Sequence, residues 1–183
     1  MSQLDQRLER WIVEHRVDWL DPLFVGLSYA GTHGLLWIVL GIGAALWLRR
    51  PSIAFAVPAV VLLADLAASG IKAATDRRRP EETLDGIDVL VSTPSTTAFP
   101  SGHAATSFAA AVVLALALPP LAIAFLALAA AVSFSRIYVG VHFPLDVICG
   151  AALGVVVATA LLLLARALRR SRSQRTPGLP TGR

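Results

Sequence analysis

The sequence predicts an all-α integral membrane bundle of five to six transmembrane helices, and three observations lead there. Hydrophobic residues make up 56% of the 183 residues and charged ones only 15%, against roughly 25% charged in soluble domains. Mean hydropathy is +0.68. The apolar residues gather into runs of bilayer-crossing length, separated by short polar blocks and by Pro or Arg stops. The length fits one domain. The single cysteine, Cys149, excludes an internal disulfide and a cysteine-based metal framework.

The elements follow in order. Residues 3–20 place Leu4, Leu8, Trp11, Ile12, His15 and Trp19 at spacings of three and four among acids and arginines. This predicts an amphipathic N-terminal helix (the segment 1–21) lying in the headgroup region, since its charges oppose a crossing. They also exclude a cleavable signal peptide. Asp21-Pro22 then opens the first span as N-cap and first helical residue, and Leu23–Leu48 carries it to the stop at Arg49-Arg50-Pro51. A second span runs from Ile53 to about Ala74. The polar segment 75–100 follows, then a third span over Ser101–Leu118. Pro119-Pro120 turns the chain into a fourth, Leu121–Tyr138. Phe143-Pro144 opens a fifth that reaches about Leu168 and carries Gly150-x3-Gly154, a spacing that suits a dimer contact but in a chain this rich in Ala and Gly more often marks close packing within the molecule. Residues 1–170 thus form one membrane domain, and 171–183 read as a disordered basic tail.

Three polar blocks interrupt the apolar sequence: Lys72 to Arg79-Pro80, Pro100-Ser101-Gly102-His103, and Ser135-Arg136 through His142 to Asp146. Span parity brings them together. With the N-terminal helix on one side, the first span delivers Arg49 and Arg50 to the other. The second returns to end at Lys72, the third starts on that same side at Ser101, the fourth returns near Arg136, and the fifth leaves just after His142. The side opposite the blocks holds Arg49, Arg50 and the tail arginines Arg166, Arg169, Arg170, Arg172, Arg175 and Arg183. The side of the blocks has, apart from the candidate site cations Lys72, Arg79 and Arg136, Arg7, Arg10, Arg16, Arg77 and Arg78. The positive-inside rule therefore puts the tail in the cytoplasm and the blocks outside. The same rule accounts for the basic tail without a nucleic-acid partner.

The blocks contain what is needed to hold and transfer a phosphoryl group. Lys72, Arg79 and Arg136 supply cations for the equatorial oxygens, arginine in bidentate geometry and lysine as a point charge. Ser101 and Gly102 open a helix whose free N–H groups and dipole favour an anion. His142 lies four residues before Asp146, a carboxylate that can orient one ring nitrogen and raise the nucleophilicity of the other. His103 has no such carboxylate in its block and suits a general acid for the leaving oxygen. His33, in the first span, reads as a packed or hydrogen-bonded core histidine. Asp65 is an intramembrane carboxylate on one helical face with Ser69 and Lys72, and reads equally as a functional group or as a buried structural partner.

Lys-x6-Arg-Pro, Pro-Ser-Gly-His and Ser-Arg-x5-His-x3-Asp, as they stand here, resemble the three signature motifs of the type-2 phosphatidic acid phosphatase superfamily. The resemblance implies a six-helix membrane phosphatase with no metal or other cofactor, working through a phosphohistidine. His142 would be the nucleophile, Asp146 its orienting group and His103 the acid, with Lys72, Arg79, Ser101, Gly102 and Arg136 on the phosphate. It further implies a small bacterial member in the cell membrane. Such a member would act from the outer face on a membrane lipid phosphate such as a polyprenyl diphosphate, phosphatidylglycerol phosphate or phosphatidic acid. Soluble haloperoxidases share these motifs, but the hydropathy opposes that branch. Two other readings use the same residues: a non-catalytic lipid-phosphate binder or transporter, and metal-dependent hydrolysis with His103, His142, Asp146 and Asp76 as ligands.

Overall fold

The computed structural model describes residues 3–174. Among them the chain is all-helical. Helix α1 (Gln3–Glu14) leads through a 3-10 turn (Asp18–Leu20) into α2 (Asp21–Ala30). A second 3-10 turn (Thr32–Gly34) joins α2 to α3 (Leu35–Leu48), and α4 (Pro51–Ala73) follows. The 75–100 segment carries only the short α5 (Pro80–Thr83). Then come α6 (Gly102–Ala117), α7 (Ala122–Tyr138) and α8 (Pro144–Gln174). Among the described residues three stretches are long and apolar enough to cross a membrane: Pro51–Ala73, Pro119–Tyr138 and Pro144–Ser171. The α2–α3 pair is a fourth if the two are one broken span. At 16 residues α6 is shorter, roughly 24 Å at the helical rise.

The predicted first span is not continuous. Its halves bend by 58°, because His33 (φ 52) and Gly34 (φ 68) take left-handed backbone that no helix accommodates. Helical periodicity alone does not reveal such a break. Asp21 also departs from expectation: Leu20 is the N-cap residue, and Asp21 Oδ1 instead accepts a hydrogen bond from Tyr138 Oη at 2.7 Å, tying α2 to the end of α7. The N-terminal helix stops at Glu14 rather than Leu20. At the other end α8 continues through Ser171 to Gln174, so the expected tail overlaps the helix. Residues 175–183, with Arg175 and Arg183, lie outside the described residues.

Helix α6 is the centre of the bundle, packed between α4, α7 and α8. Its alanines Ala104, Ala105, Ala109, Ala110 and Ala111 are fully buried. Opposite them, Gly150 and Gly154 let the α8 backbone approach closely. A Cβ on Gly154 would stand 2.2 Å from the Ala105 carbonyl oxygen, and one on Gly150 would stand 2.4 Å from that of Ser101. The Gly-x3-Gly pair is therefore an intramolecular contact. Gly154→Ala is expected to cost about 1–3 kcal/mol through overpacking, read as a lower thermal midpoint in detergent. An unchanged midpoint would mean that α6 and α8 separate without penalty. A polar pair deep in the core, Trp37 Nε1 donating to Ser107 Oγ at 2.9 Å, is mutually satisfied.

Helix α1 carries charge inward and grease outward. Asp5 and Glu9 are buried, whereas Leu4, Leu8 and Trp11, one face at i, i+4, i+7, are exposed. At 12 residues it is roughly 18 Å long, short of the ~30 Å hydrocarbon core.

Candidate active site

Every residue singled out in the three polar blocks gathers at one end of α4, α6, α7 and α8. Lys72 is on the last turn of α4, Ser101 caps α6, Arg136 is on the last turn of α7, and Asp146 is in the first turn of α8. A cavity of about 470 Å3 is lined by Lys72, Arg79, Gly102, His103, Arg136 and His142. Ser101 and Asp146 are fully buried behind it.

The cations are held by backbone carbonyls and hydroxyls rather than by carboxylates. Arg79, 2% exposed, donates through Nη1 to Val141 O at 2.7 Å and through Nε to Thr96 O at 3.0 Å. Lys72 Nζ donates to Thr97 O, and Arg136 Nη1 to Ser28 Oγ. Neutral partners orient these groups and leave the positive charge uncompensated, as an anion site requires. The 75–100 segment is pinned over the site by the same contacts. Arg16 adds a clamp, donating to Tyr138 O and Asp88 O, each at 2.7 Å. At the start of α6, Ser101 Oγ lies 3.5 Å from the Ala104 N–H it caps, and a Cβ on Gly102 would meet Asp65 Oδ1 at 3.8 Å.

The two histidines have different surroundings. His142 Nδ1 lies 3.5 Å from Asp146 Oδ2, long for a hydrogen bond but facing it, which leaves Nε2 as the other ring nitrogen. Burial, reinforced by Arg79, Arg136 and Lys72, holds the His142 pKa well below the ordinary histidine value, so the ring is neutral near pH 7. Asp146 Oδ2 accepts the Phe143 N–H at 2.9 Å, and Oδ1 lies 3.1 Å from Arg77 Nε. His103 Nε2 lies 3.2 Å from the Ser28 carbonyl oxygen, a contact in which the ring must donate.

Residues 53–170, a stretch that contains all three polar blocks, match the PAP2 superfamily. The chain belongs to the PAP2 superfamily. It is 34% identical over 158 residues to the decaprenylphosphoryl-5-phosphoribose phosphatase of Mycobacterium tuberculosis, covering 81% of this chain and 82% of that protein. Aquifex aeolicus LpxE superposes with a TM-score of 0.78 at 28% identity, over 88% of this chain and 96% of that one. The PAP2-type phosphatidylglycerolphosphate phosphatase of Bacillus subtilis superposes with a TM-score of 0.72 at 26% identity, over 90% and 85%.

Around this cavity stand residues that the sequence pattern of this PAP2 superfamily chain does not reveal. Ser28, buried in α2, holds both Arg136 and His103; its only signal is one hydroxyl in an apolar run. His33, expected in the core, lines the cavity with Tyr29, Thr32, Asp65 and Ser69. Asp76, the fourth metal ligand of the alternative reading, lines a separate cleft with Thr75, Arg77 and Phe99.

Beneath the site, Glu9 is fully buried and neither of its oxygens has a hydrogen-bond partner among the described residues. Burial, together with Asp146, Asp5 and Glu81 and against Arg16, raises its pKa from 4.5 to about 9. The folded protein therefore keeps a proton that the unfolded chain loses above pH 4.5, and stability falls as pH rises from there to about 9. Glu9→Gln is expected to flatten that slope in thermal unfolding between pH 5 and pH 9. An unaltered slope would contradict the assignment.

Proposed function

We propose that this protein is a membrane lipid phosphatase that transfers the phosphoryl group of its substrate to His142 and then to water. The single observation that carries this reading is the convergence of Lys72, Arg79, Arg136, His103 and His142 on one cavity, with Asp146 behind His142. A binder or transporter needs the cations but has no use for a neutral, carboxylate-oriented imidazole beside them.

The phosphate sits among the three cations with an oxygen toward the start of α6 at Gly102. His142 Nε2 attacks phosphorus in line, and Nδ1–H faces Asp146, which offsets the positive charge that develops on the ring. The P–O bond to the lipid side breaks, and His103, which takes up a second ring proton when the phosphate anion binds beside it, gives that proton to the leaving oxygen. His103 then takes a proton from water as that water attacks phosphorus. The P–N bond breaks, and inorganic phosphate and free His142 result. The cations neutralise charge on the equatorial oxygens throughout.

The lipid reaches this site from the bilayer. The α2–α3 pair, α4, α6, α7 and α8 make five crossings, and α1 lies at the interface with Leu4, Leu8 and Trp11 against lipid and Arg7 and Arg10 exposed beside them. The arginine distribution orients the cavity outward from the cytoplasm.

Beyond the cations the cavity wall changes character: Tyr29, Thr32, His33, Asp65 and Ser69 offer hydroxyls, an imidazole and a carboxylate. A carboxylate there repels a second phosphate and accepts hydrogen bonds from hydroxyl groups. That wall favours a phosphomonoester on a hydroxylated head group over a bare polyprenyl diphosphate, in keeping with the polyprenyl phosphoribose relative. The test is phosphate release by purified protein, without added metal, from a polyprenyl phosphosugar, a polyprenyl diphosphate, phosphatidylglycerol phosphate and phosphatidic acid. Hydroxylated phosphomonoesters should give the highest kcat/KM. Release from none of the four would contradict the phosphatase reading, and a clear preference for the diphosphate would contradict the role given to the wall.

A further inference from the structure

Asp146 does not stand alone behind His142. Its Oδ2 is occupied by the Phe143 N–H at 2.9 Å, and its Oδ1 faces Arg77 Nε at 3.1 Å. The far end of the same guanidinium pairs through Nη2 with Asp5 Oδ2 on α1, and Asp5 Oδ1 accepts the Leu145 N–H at 2.9 Å. Arg77 therefore bridges two carboxylates from opposite ends of the chain, both buried. Its plane is further confined by Phe143, whose ring centre lies 5.0 Å from the guanidinium carbon. An arginine so placed is ion-paired at both ends, by distance rather than by a hydrogen bond on the Asp146 side, and does not line the anion cavity.

We infer that Arg77 and Asp5 form a positioning pair that sets the orientation of Asp146, and through it the Nδ1–H tautomer and ring plane of His142. This rests on the proposed role of His142. The carboxylate is free to turn about its last torsion, and the Phe143 N–H fixes only one of its oxygens. Without Arg77, Oδ1 is a buried acceptor with no cation, and Asp146 can rotate away from a ring nitrogen that already stands at 3.5 Å. The bridge also makes the N-terminal helix part of the site. Asp5 is the anchor by which α1, whose opposite face is apolar, is held against the start of α8.

The test uses the full chain in detergent and the best substrate of the four above. Arg77→Ala should lower kcat on the order of tenfold to a hundredfold, as loss of a group orienting a reactive ligand does, with KM and competitive inhibition by inorganic phosphate unchanged. Guanidinium ion should restore part of the lost kcat, since Arg77 lines an open cleft with Thr75, Phe99 and Leu145 through which the ion can enter. Asp5→Asn, a milder change that keeps the helix intact, should lower kcat severalfold in the native background and have no further effect in Arg77→Ala. Normal kcat in both single variants would overturn the inference. So would an effect confined to KM, or single losses that multiply in the double variant. His142→Ala run in parallel separates the two claims. If it turns over normally, the reading of the site fails; if it is inactive while Arg77→Ala is normal, only the positioning pair fails.

Discussion

His142→Ala is expected to lower phosphate release by about a thousandfold or more, the scale seen when a nucleophile is removed from an otherwise intact site, while membrane insertion and thermal stability persist. The ring is buried but makes no hydrogen bond that the fold depends on. Its nearest polar partner is Asp146, and Asp146 retains the Phe143 N–H and the Arg77 ion pair. Loss of activity in this variant should therefore be a loss of chemistry. Inorganic phosphate should still inhibit residual turnover or still raise the melting temperature, because the cations are untouched. The pH dependence carries a second signature. Burial and three nearby cations depress the pKa of His142 below the ordinary value of 6.5, so the imidazole stays unprotonated, and competent to attack, at pH values where a free histidine is already charged. The acid limb of kcat/KM due to this group should accordingly lie below pH 6.5. Turnover near the native rate in His142→Ala would reject the nucleophile assignment.

Arg136→Gln should have the second-largest effect, lowering kcat/KM by about 10²–10³, the loss that accompanies removal of one preorganised donor to a developing oxyanion. Arg136 is 4% exposed, held through Nη1 by Ser28, and its Nε has no hydrogen-bond partner among the described residues. One face of the guanidinium is thus anchored and a second donor remains for a substrate oxygen. The same substitution relieves the crowding of Lys72, Arg79 and Arg136 around one cavity, so the thermal midpoint should stay level or rise. Activity and stability moving in opposite directions is the pattern of a site that holds like charges for function. A fall in stability with little loss of turnover would identify Arg136 as a structural cation instead. Arg136→Lys keeps the charge but loses the fork, and should recover only part of the rate.

The bundle was legible because its signals are local. Apolar runs, Pro120 and Pro144 at helix starts, and Arg49-Arg50-Pro51 at a stop each act within a few residues, and parity then brought Lys72, Ser101, Arg136 and His142 to one end without tertiary information. The break at His33-Gly34 was not legible, because a left-handed pair inside an apolar run leaves the hydropathy unchanged and depends on close packing of Gly34 against Val61. The cavity residues in the three blocks were legible from charge in apolar sequence. Their supports were not. Ser28 is one hydroxyl among many small residues, and its two contacts come from α6 and α7, 75 and 108 residues away. Arg77 resembles a surface cation between Asp76 and Arg78. Only the fold reveals that it meets Asp5, 72 residues earlier, and Asp146. In the N-terminal helix the periodicity was visible, but its sense was not: the charged residues Asp5 and Glu9 face the protein, and Leu4, Leu8 and Trp11 face away.

The central claim is a covalent phosphoryl–His142 intermediate, and rapid quenching at alkaline pH followed by peptide mass spectrometry tests it most directly. During steady-state turnover of a lipid phosphate, the peptide containing His142 should carry one phosphoryl group that is stable to base and labile to acid. The label should be absent in His142→Ala and increased in His103→Ala when the substrate has a good leaving group. Phosphoryl label on another residue, or rapid turnover with no label on His142 in either background, would contradict the account.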